Sequence, residues 1–366
     1  MFGSMFRRRS AFDLAEIDAG NICIIKPSAF GDIVQSLPLL PVLRSRFPQA
    51  RITWVVKCEL ADVLVDHPFL DELLSIDVRG GWRCWARLLR NVRRRHFDLV
   101  FDLQGLFRTA LVTLASGAPL RVGLETAREG APWSTNCVIP ETTKAVPAHA
   151  RYWRVAECLG LGSMSRDTVV GISDRERRWA QRILGERGGL VVAMHPGAKW
   201  ITKQWPAENF AALAIRVWRK YGASFVLLGT DSERPLGRRI EQQLQHEDPA
   251  CPIQNLMGRT RLKPLAALLG QVHVLMSNDS GPMHLAAGLG TPVLGIFTCT
   301  SPLRSGPPGD HHELVATKVR CAARYKKACP FHDTRHMACF DELSVDRAWR
   351  AFQKLVAKNG LAPRAA

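Results

Sequence analysis

The chain has 366 residues, which is too long for one ordinary domain and enough for two, because a typical domain has roughly 150 residues. Hydrophobic residues make up 46% and charged residues 23%, which excludes a wholly disordered chain. Fifty Lys and Arg against 33 Asp and Glu give a net charge of +17, which favours an anionic partner such as phosphate, nucleic acid or a membrane surface. No stretch has the roughly 18 apolar residues of a spanning helix, and the Arg-rich start lacks a signal peptide's apolar segment, so we expect a cytoplasmic protein.

Short apolar runs alternate with helical patterns from residue 21 onward. The predicted strands of the first half are Asn21–Lys26, Ile52–Val56, Leu73–Ile76 and Asp98–Leu103. A helix is predicted at Asp32–Phe47, and another after Gly81 with Trp82, Trp85, Leu89 and Val92 on one face. Strands separated by helices indicate a parallel sheet covered on both faces, so residues 20–170 are predicted to form a Rossmann-like domain.

A segment rich in Gly, Ser and charges near Leu161–Gly189 interrupts the alternation, and a second series follows it. Its predicted strands are Leu190–Met194, Ser224–Leu228, His273–Ser277 and Pro292–Phe297, and its predicted helices are Ala207–Lys220, Leu262–Leu269 and Pro282–Leu289. Residues 188–343 are predicted to form a second Rossmann-like domain, and residues 344–360 a closing amphipathic helix. The predicted fold class is α/β, with a ligand cleft between the carboxyl ends of the two sheets.

The loop after the first strand leads directly into a helix, and Asp32 lies where that helix begins. The loop lacks the G-x-G-x-x-G pattern of a dinucleotide-binding dehydrogenase. Asp32 fits two roles equally well on position alone. It could be an N-cap that satisfies free amide groups, or a carboxylate at the cleft that acts as a general base.

Two loops of the second half carry charged residues just after predicted strands. Lys203 lies close to a Gly-containing turn and before Trp205-Pro206, so its ammonium could bind an anion, although most lysines are simply solvated. Glu233 follows another strand and is placed to bind ribose hydroxyls. The alternative for this second loop is helix capping by Asp231 or Ser232.

The stretch SNDSGPMH, residues 277–284, is the most informative motif. A buried strand ends in small polar residues, and Pro282 is predicted as the first residue of the next helix. The amides of Asp279, Ser280 and Gly281 would then be available to a diphosphate. The Asp279 carboxylate would repel phosphate, so we expect it to cap the loop or orient a lysine. His284 fits either a packed helix residue or a donor facing the cleft.

Ten cysteines are scattered along the chain, which indicates reduced thiols rather than a disulfide framework. The late cysteines Cys321, Cys329 and Cys339, with His332 and His336 among them, are too widely spaced for a C-x-x-C knuckle. We therefore expect a surface loop and no metal site, with zinc as the alternative.

A helix rich in arginine is predicted between Arg79 and Arg95, where seven arginines lie opposite Trp82 and Trp85. Such a basic amphipathic helix suits an anionic membrane surface or glycolipid. The alternative is an ordinary solvated face.

Together these motifs resemble the ADP-heptose:lipopolysaccharide heptosyltransferases of glycosyltransferase family nine. The stretches that carry the resemblance are IIKPSAFGDIVQSLP, FDLQGLFRTA, HPGAKW, KQWP, LLGTDSE and SNDSGPMHLAAGLGTPVLGIF, which lie between about Asn21 and Val356. The resemblance implies a GT-B fold, transfer of heptose from ADP-heptose to the lipopolysaccharide inner core with inversion, no metal and no cofactor. It also implies work in the cytoplasm or at the cytoplasmic face of the inner membrane.

The resemblance also assigns roles to individual residues. Asp32 corresponds to the catalytic carboxylate. The donor-binding residues would be Lys203, Glu233, Asp279, Ser280, Gly281 and His284, and the acceptor-binding residues Ser28, Gly31, Gln104, Arg108 and Arg128. The stretch GLETARE resembles enzymes that act on Kdo, whereas CAARYKKACPFHDTRHMACFDELS resembles those that act on heptose. Two rival functions stay open: a sugar-nucleotide epimerase of GT-B fold, and a nucleic-acid-binding protein that uses the basic surface.

Overall fold

Parallel strands alternate with helices through both halves of the chain. The computed structural model describes residues 13–185 and 189–361, so the Arg-rich start lies outside the described residues. Two units are separated in the chain at Gly171 and Ile172. Both units are α/β and Rossmann-like, and the GT-B fold class is confirmed. The predicted cleft between the units stays a prediction.

The first unit has six parallel strands in the order β3-β2-β1-β4-β5-β6. These strands are β1 Asn21–Ile25, β2 Arg51–Lys57, β3 Glu72–Ile76, β4 Leu99–Asp102, β5 Leu120–Leu124 and β6 Cys137–Ile139. Its helices are α1 Phe30–Ser36, α2 Leu39–Arg46, α3 Gly81–Arg93, α4 Phe107–Ser116 and α5 Ala148–Cys158. Strand order reverses direction between β1 and β4, which is where open α/β sheets bind ligands.

The second unit repeats this topology, with strand order β12-β11-β10-β7-β8-β9. Its strands are β7 Val191–His195, β8 Ser224–Leu227, β9 Ile253–Asn255, β10 Val274–Asn278, β11 Val293–Phe297 and β12 Glu313–Ala316. Its helices are α6 Asp174–Leu184, α7 Ala207–Tyr221, α8 Arg234–Glu247, α9 Leu262–Leu269, α10 Gly281–Gly288, α11 Pro302–Ser305, α12 Ala338–Glu342 and α13 Val345–Lys358. Here the strand order reverses between β7 and β10.

Two predicted helices differ in the structure. The helix expected at Asp32–Phe47 is two helices, because Pro38, which has no amide hydrogen to donate, separates α1 from α2. Helix α3 forms as expected, but Trp82 is 75% exposed and does not share the packed face with Leu88 and Val92. A third difference is α6, which lies in the segment that the sequence predicts as a break between the domains. In the structure this helix packs against α9 of the second unit.

The final helix α13 belongs to the core of the second unit. Phe352, Leu355 and Val356 are fully buried, and they join a core that contains Trp205 and Phe210. The indole N–H of Trp205 donates to the carbonyl of Leu343 at 2.8 Å, just before the N-cap of α13. The chain therefore closes on the same core that supports the loop carrying Lys203.

His312, which precedes β12, should make the second unit sensitive to acid. Its Nδ1 accepts the amide of Val293 at 3.2 Å, and burial lowers the pKa of the ring to about 4. The unfolded chain binds a proton near pH 6.5 and the folded chain does not, so stability is full above pH 6.5 and falls as the pH drops toward 4. We expect a loss of about 2 to 3 kcal/mol across that interval.

Urea unfolding of wild type and His312→Asn between pH 7 and 4 measures this dependence. The variant should show a shallower decline, and the exposed-residue control His246→Asn should follow wild type. An identical pH dependence in His312→Asn would contradict the assignment.

Candidate active site

A buried lysine lies at the point where the strand order of the first sheet reverses. Lys26 directly follows β1, is only 3% exposed, and donates from Nζ to the carbonyl of Leu103 at 3.2 Å, just beyond β4. Burial lowers the pKa of this ammonium, and the carboxylates of Asp32 and Asp102 oppose the shift. A charge in this position requires a nearby anion.

Asp32 supplies that anion. Its Oδ2 lies 3.8 Å from Lys26 Nζ, and its side chain is 35% exposed, so the carboxylate is held by the protein and still open to solvent. The N-cap of α1 is Ala29, and Asp32 is the third residue of the helix, reaching back to the Ala29 amide at 3.4 Å. The predicted N-cap role is therefore wrong in position, although the carboxylate does bind the amide of the N-cap residue.

Tyr152 on α5 completes what we call the Asp32 cluster, formed by Lys26, Asp32 and Tyr152. Its hydroxyl donates to Asp32 Oδ1 at 3.1 Å, and its ring lies 5.0 Å from Lys26 Nζ. Burial, followed by the charge of Asp32, raises the Tyr152 pKa well above its usual range, so the hydroxyl keeps its proton and acts as a donor. A carboxylate between an ammonium and a hydroxyl donor is oriented to accept a proton from a third group.

The turn after β4 is organised by buried Asp102. Its Oδ1 accepts the amides of Gln104 and Gly105 at 3.0 and 2.9 Å, and its Oδ2 accepts the hydroxyl of Thr109 on α4 at 2.9 Å. Burial raises the pKa of Asp102, and these hydrogen bonds counteract the shift. Asp102 is thus a structural group that fixes the loop carrying Gln104.

Gly105 lets a second loop approach this turn. It has a positive φ of 62°, and a Cβ there would lie 2.7 Å from the Cα of Ala127. The amide of Arg128 donates to the Gly105 carbonyl at 2.9 Å, which places Arg128 beside the turn that carries Gln104. The Arg128 charge also acts on Lys26, so the Asp32 cluster and this loop share one electrostatic environment.

The other predicted acceptor residues lie on the same unit. Ser28 is in the loop between β1 and α1, and Gly31 is in the first turn of α1 beside Asp32. Arg108 is exposed in the first turn of α4, which follows the Gln104 turn. All these positions follow the carboxyl ends of β1, β4 or β5, and their acceptor roles stay predictions.

In the second unit, a buried histidine occupies the position equivalent to Lys26, at the end of β7. His195 Nδ1 lies 3.1 Å from the hydroxyl of Ser280, the N-cap of α10, and its Nε2 lies 4.0 Å from Glu233 Oε2. Burial lowers the His195 pKa, and Glu233 opposes the shift. His195 therefore links the loop after β8 to the start of α10.

The carboxylate of Glu233 lies against the loop that follows β7, next to Gly197. Its Oε2 accepts the amide and the hydroxyl of Thr230 at 2.7 and 2.9 Å, so the capping expected of Asp231 or Ser232 is done by Glu233. A Cβ on Gly197 would lie 1.9 Å from Glu233 Oε1. Only glycine at position 197 leaves room for the carboxylate in this position.

Lys203 and Asp279 form a close ion pair. Lys203 Nζ lies 2.7 Å from Asp279 Oδ2, and the carboxylate is buried. The ammonium also lies 5.0 Å from the centre of the Trp200 ring, which restricts its direction. The ammonium also donates to the Asp279 carbonyl at 3.4 Å, so two of its three N–H donors bind Asp279 and one is left for an anion. We call Lys203, Asp279, His195, Ser280 and Glu233 the Lys203 cluster.

The motif of residues 277–284 differs from expectation in two details. Helix α10 begins at Gly281, so Pro282 is its second residue. The amide of Asp279 donates to the carbonyl of Ile296 at 3.2 Å, so its predicted availability to a diphosphate is wrong. His284 is buried in α10, and its role as a donor stays a prediction.

The segment that carries the late cysteines packs against the Lys203 loop, with Cys321 and Cys329 in irregular structure and Cys339 in α12. Thr202 Oγ1 donates to the carbonyl of Lys326 at 2.6 Å, and the amide of Tyr325 donates to the carbonyl of Cys299 at 3.0 Å. Burial raises the pKa of Cys339 to about 12, and the neighbouring thiols Cys321 and Cys329 add to the shift. Within residues 13–185 and 189–361, no three His, Cys, Asp or Glu side chains are arranged to hold a metal ion, and the expectation of no metal site stays a prediction.

Sequence reasoning missed Lys26, Tyr152 and His195 as members of these clusters. Lys26 and His195 each end an apolar strand, and a polar residue at the carboxyl end of a buried strand is a signal that could have identified both. Tyr152 lies 120 residues from Asp32 in an unpredicted helix, and no local pattern connects the two.

Known proteins are similar to this chain over most of its length. Residues 85–334 match the family model described as glycosyltransferase family 9 (heptosyltransferase). The chain belongs to glycosyltransferase family 9. Membership does not favour the two rival functions, the epimerase and the nucleic-acid-binding protein.

Relatives within family 9 match most of the chain. The lipopolysaccharide core heptosyltransferase OpsX of Haemophilus influenzae is 26% identical over 301 residues, covering 81% of this chain and 84% of the relative. The lipooligosaccharide heptosyltransferase 2 of the same species is 31% identical over 319 residues, covering 81% and 88%. The solved structure of E. coli ADP-heptose lps heptosyltransferase II has a TM-score of 0.72 at 22% identity, covering 93% of this chain and 99% of that one.

The Lys203 cluster generates a prediction about nucleotide binding. We expect Lys203→Ala to weaken ADP binding roughly ten- to a hundredfold, the scale of one lost hydrogen bond between charged groups. Isothermal titration calorimetry with ADP measures the change. Lys199→Ala is the matched control, because Lys199 is an exposed lysine of the same loop.

Thermal unfolding of Lys203→Ala is measured alongside, since the variant leaves the buried Asp279 carboxylate without its ammonium. If Lys199→Ala lost as much affinity as Lys203→Ala, the assignment would be wrong. So would it be if a folded Lys203→Ala bound ADP like wild type.

Proposed function

We propose that this chain transfers heptose from ADP-heptose to the inner core of lipopolysaccharide, with inversion at the anomeric carbon. The observation that carries the proposal is the family 9 match, which spans residues 85–334 and agrees with relatives named as lipopolysaccharide and lipooligosaccharide heptosyltransferases. The geometry of the two clusters supplies a chemical route for the reaction.

In the proposed reaction, Asp32 is the general base. The acceptor hydroxyl attacks the anomeric carbon from the side opposite ADP, its oxygen forms the new glycosidic bond, and its proton passes to the Asp32 carboxylate. Lys26 provides the nearby positive charge while Asp32 is ionised, and Tyr152 holds the carboxylate in one orientation. A single displacement of this kind inverts the configuration of the sugar.

The Lys203 cluster takes the donor in this proposal. The bond from the anomeric carbon to the β-phosphate oxygen breaks, and the departing ADP gains negative charge. Lys203 and the amino-terminal end of α10 are positive groups fixed before the reaction, and such preorganised groups stabilise developing charge more effectively than water does. Glu233, beside His195, is proposed to bind the ribose once its Thr230 contacts yield to the nucleotide. No step in this route is assigned to a metal ion or cofactor.

The acceptor is proposed to be Kdo or heptose on lipid A, contacted by Ser28, Gly31, Gln104, Arg108 and Arg128. The reaction is proposed to take place in the cytoplasm, at the face of the inner membrane that displays the growing lipid. Turnover of ADP-heptose with Kdo-terminated and with heptose-terminated lipid A tests the proposal, with mass spectrometry of the product. Release of ADP without a glycosylated product, or isomerisation of ADP-heptose alone, would contradict it.

Asp32→Asn tests the base directly. Asn has the same shape and keeps one oxygen, which can accept from the Ala29 amide or from the Tyr152 hydroxyl. Asp102 still acts on the buried Lys26 charge, so we expect the fold to be retained, and thermal unfolding of the variant checks this. Turnover should fall by roughly 10²-fold or more, the usual scale for a lost general base, while calorimetry shows unchanged ADP affinity. Near-normal turnover would mean that Asp32 has only a structural role.

Tyr152→Phe tests the orientation of that base. It removes one hydrogen bond to the carboxylate and preserves the aromatic ring over Lys26, so we expect kcat to fall about tenfold with little change in donor KM. Tyr221→Phe, at a half-buried tyrosine of α7 in the second unit, is the matched control and should be neutral. A similar loss in both variants would point to general destabilisation instead.

A further inference from the structure

The first unit exposes large apolar side chains on one surface. Of the eight large hydrophobic side chains that are exposed in the described residues, five lie on α3, on α4 or in the short turn at Ala131–Ser134. They are Trp82, Phe107, Leu111, Leu114 and Trp133. The two tryptophans are 75% and 76% exposed, which is unusual for residues that normally bury most of their surface. We call this the α3–α4 surface.

The apolar residues of α4 form a continuous stripe. Phe107, Leu111 and Leu114 are spaced by four and three residues, so they share one face of the helix. The opposite face packs into the unit through Ala110, Val112 and Thr113. The α3 helix and the Ala131–Ser134 turn both pack against α4, so the elements that carry the exposed Trp82 and Trp133 are direct neighbours of the helix that carries the stripe.

Exposed arginines lie on α3 beside the helix that carries the stripe, and neither helix has an acidic residue. Arg83, Arg87 and Arg90 are exposed on α3 at spacings of four and three residues, and neither α3 nor α4 contains Asp or Glu. The guanidinium of Arg83 lies 5.7 Å from the centre of the Trp82 ring. Exposed aromatic and aliphatic side chains among arginines are the composition of surfaces that insert into the interface of an anionic bilayer.

We propose that the α3–α4 surface docks the first unit on an anionic phospholipid bilayer, with the α4 stripe and both tryptophans entering the headgroup region. This inference rests on the proposed function, because the acceptor of that function is anchored in such a bilayer. It differs from the sequence-based expectation, in which the Arg79–Arg95 helix alone, with its arginines opposite Trp82 and Trp85, met the membrane. Within residues 13–185 and 189–361, no helix is long and apolar enough to cross a bilayer.

The surface is placed to present a membrane-anchored acceptor to the Asp32 cluster. Helix α3 begins at Gly81, shortly after β3 ends, and α4 begins at Phe107, shortly after β4 ends. Both first turns therefore lie at the carboxyl edge of the first sheet, the edge that carries Lys26 and Asp32. Thr109 in the first turn of α4 binds Asp102, whose charge acts on Lys26, so the stripe starts next to the cluster.

Vesicle co-sedimentation of the full chain tests the proposal. The vesicles contain either phosphatidylcholine alone or phosphatidylcholine with about a third phosphatidylglycerol, which is anionic. Binding is measured at low salt and at roughly 1 M salt, where the Debye length shrinks to about 3 Å. We expect binding to the anionic vesicles at low salt. The triple variant Arg83→Glu, Arg87→Glu, Arg90→Glu should bind about a hundredfold more weakly, since each basic residue at an anionic surface contributes roughly fivefold.

The apolar part of the surface is tested by Leu111→Gln, Leu114→Gln and Trp133→Gln together. This variant should lose the fraction of binding that survives high salt, because salt screens charges and leaves apolar insertion intact. The charge control is the triple variant Arg175→Glu, Arg178→Glu, Arg182→Glu. These arginines are exposed on α6 of the second unit at spacings of three and four residues. The apolar control is Leu303→Gln, at an 85% exposed leucine of the second unit. Both controls should bind vesicles like wild type.

Three results would overturn the proposal: vesicle binding that neither variant reduces, an equal loss in the α6 control, or wild-type vesicle binding combined with lost RNA binding in the α3 triple variant. The last would make this a nucleic-acid surface.

Heptosyl transfer to a delipidated, soluble acceptor is measured on the same proteins and should be unchanged. If wild type lacks transfer but shows the mapped vesicle binding, the proposed function fails and the docking surface stands. If transfer is present and the variants bind vesicles normally, only the docking surface fails.

Discussion

The burial of one positive charge at the centre of the first sheet determines how that unit is assembled. Lys26 cannot lie at the end of β1 without partners, because an isolated ammonium in the protein interior costs far more than folding can supply. Its partners come from different parts of the chain: a carbonyl after β4, a carboxylate on α1 and an aromatic ring on α5. The three elements therefore meet at one point, and the group that balances the charge is the partly exposed Asp32. The carboxylate that balances the buried charge is thus the same group that we propose as the general base.

The two units place different side chains at the point where the strand order of each sheet reverses. Both place polar groups where the strand order reverses, and in both the first strand ends in a buried titratable residue, Lys26 or His195. In the first unit this residue is cationic and holds a carboxylate. In the second, burial lowers the His195 pKa, and the cation is supplied by Lys203 from a neighbouring loop. The first arrangement suits taking up a proton, and the second suits holding an anion.

The sequence predicted those parts of the fold and the site that depend on local pattern. Strands such as β1 and β7 are runs of apolar residues of strand length, and α7 has an unbroken helical period, so their positions were predicted to within a residue or so. Strand β9 is three half-buried residues, IQN, and carries no pattern to read. The break between α1 and α2 was overlooked because the apolar period continues across Pro38. Asp32 and Lys203 were found from motifs, whereas Tyr152 became visible only when the fold brought α5 to α1.

The Lys203–Asp279 pair has a consequence for how ligand recognition depends on ionic conditions. A solvated lysine attracts any anion, and dissolved salt competes with that attraction directly. Lys203 is already paired with a buried carboxylate at 2.7 Å, so a phosphate that binds there would share the ammonium with Asp279. What distinguishes ligands is then the number of donors they can engage at once, from Lys203 and from the start of α10, rather than their net charge. A site of this kind would discriminate by shape and would keep its selectivity in the presence of other anions.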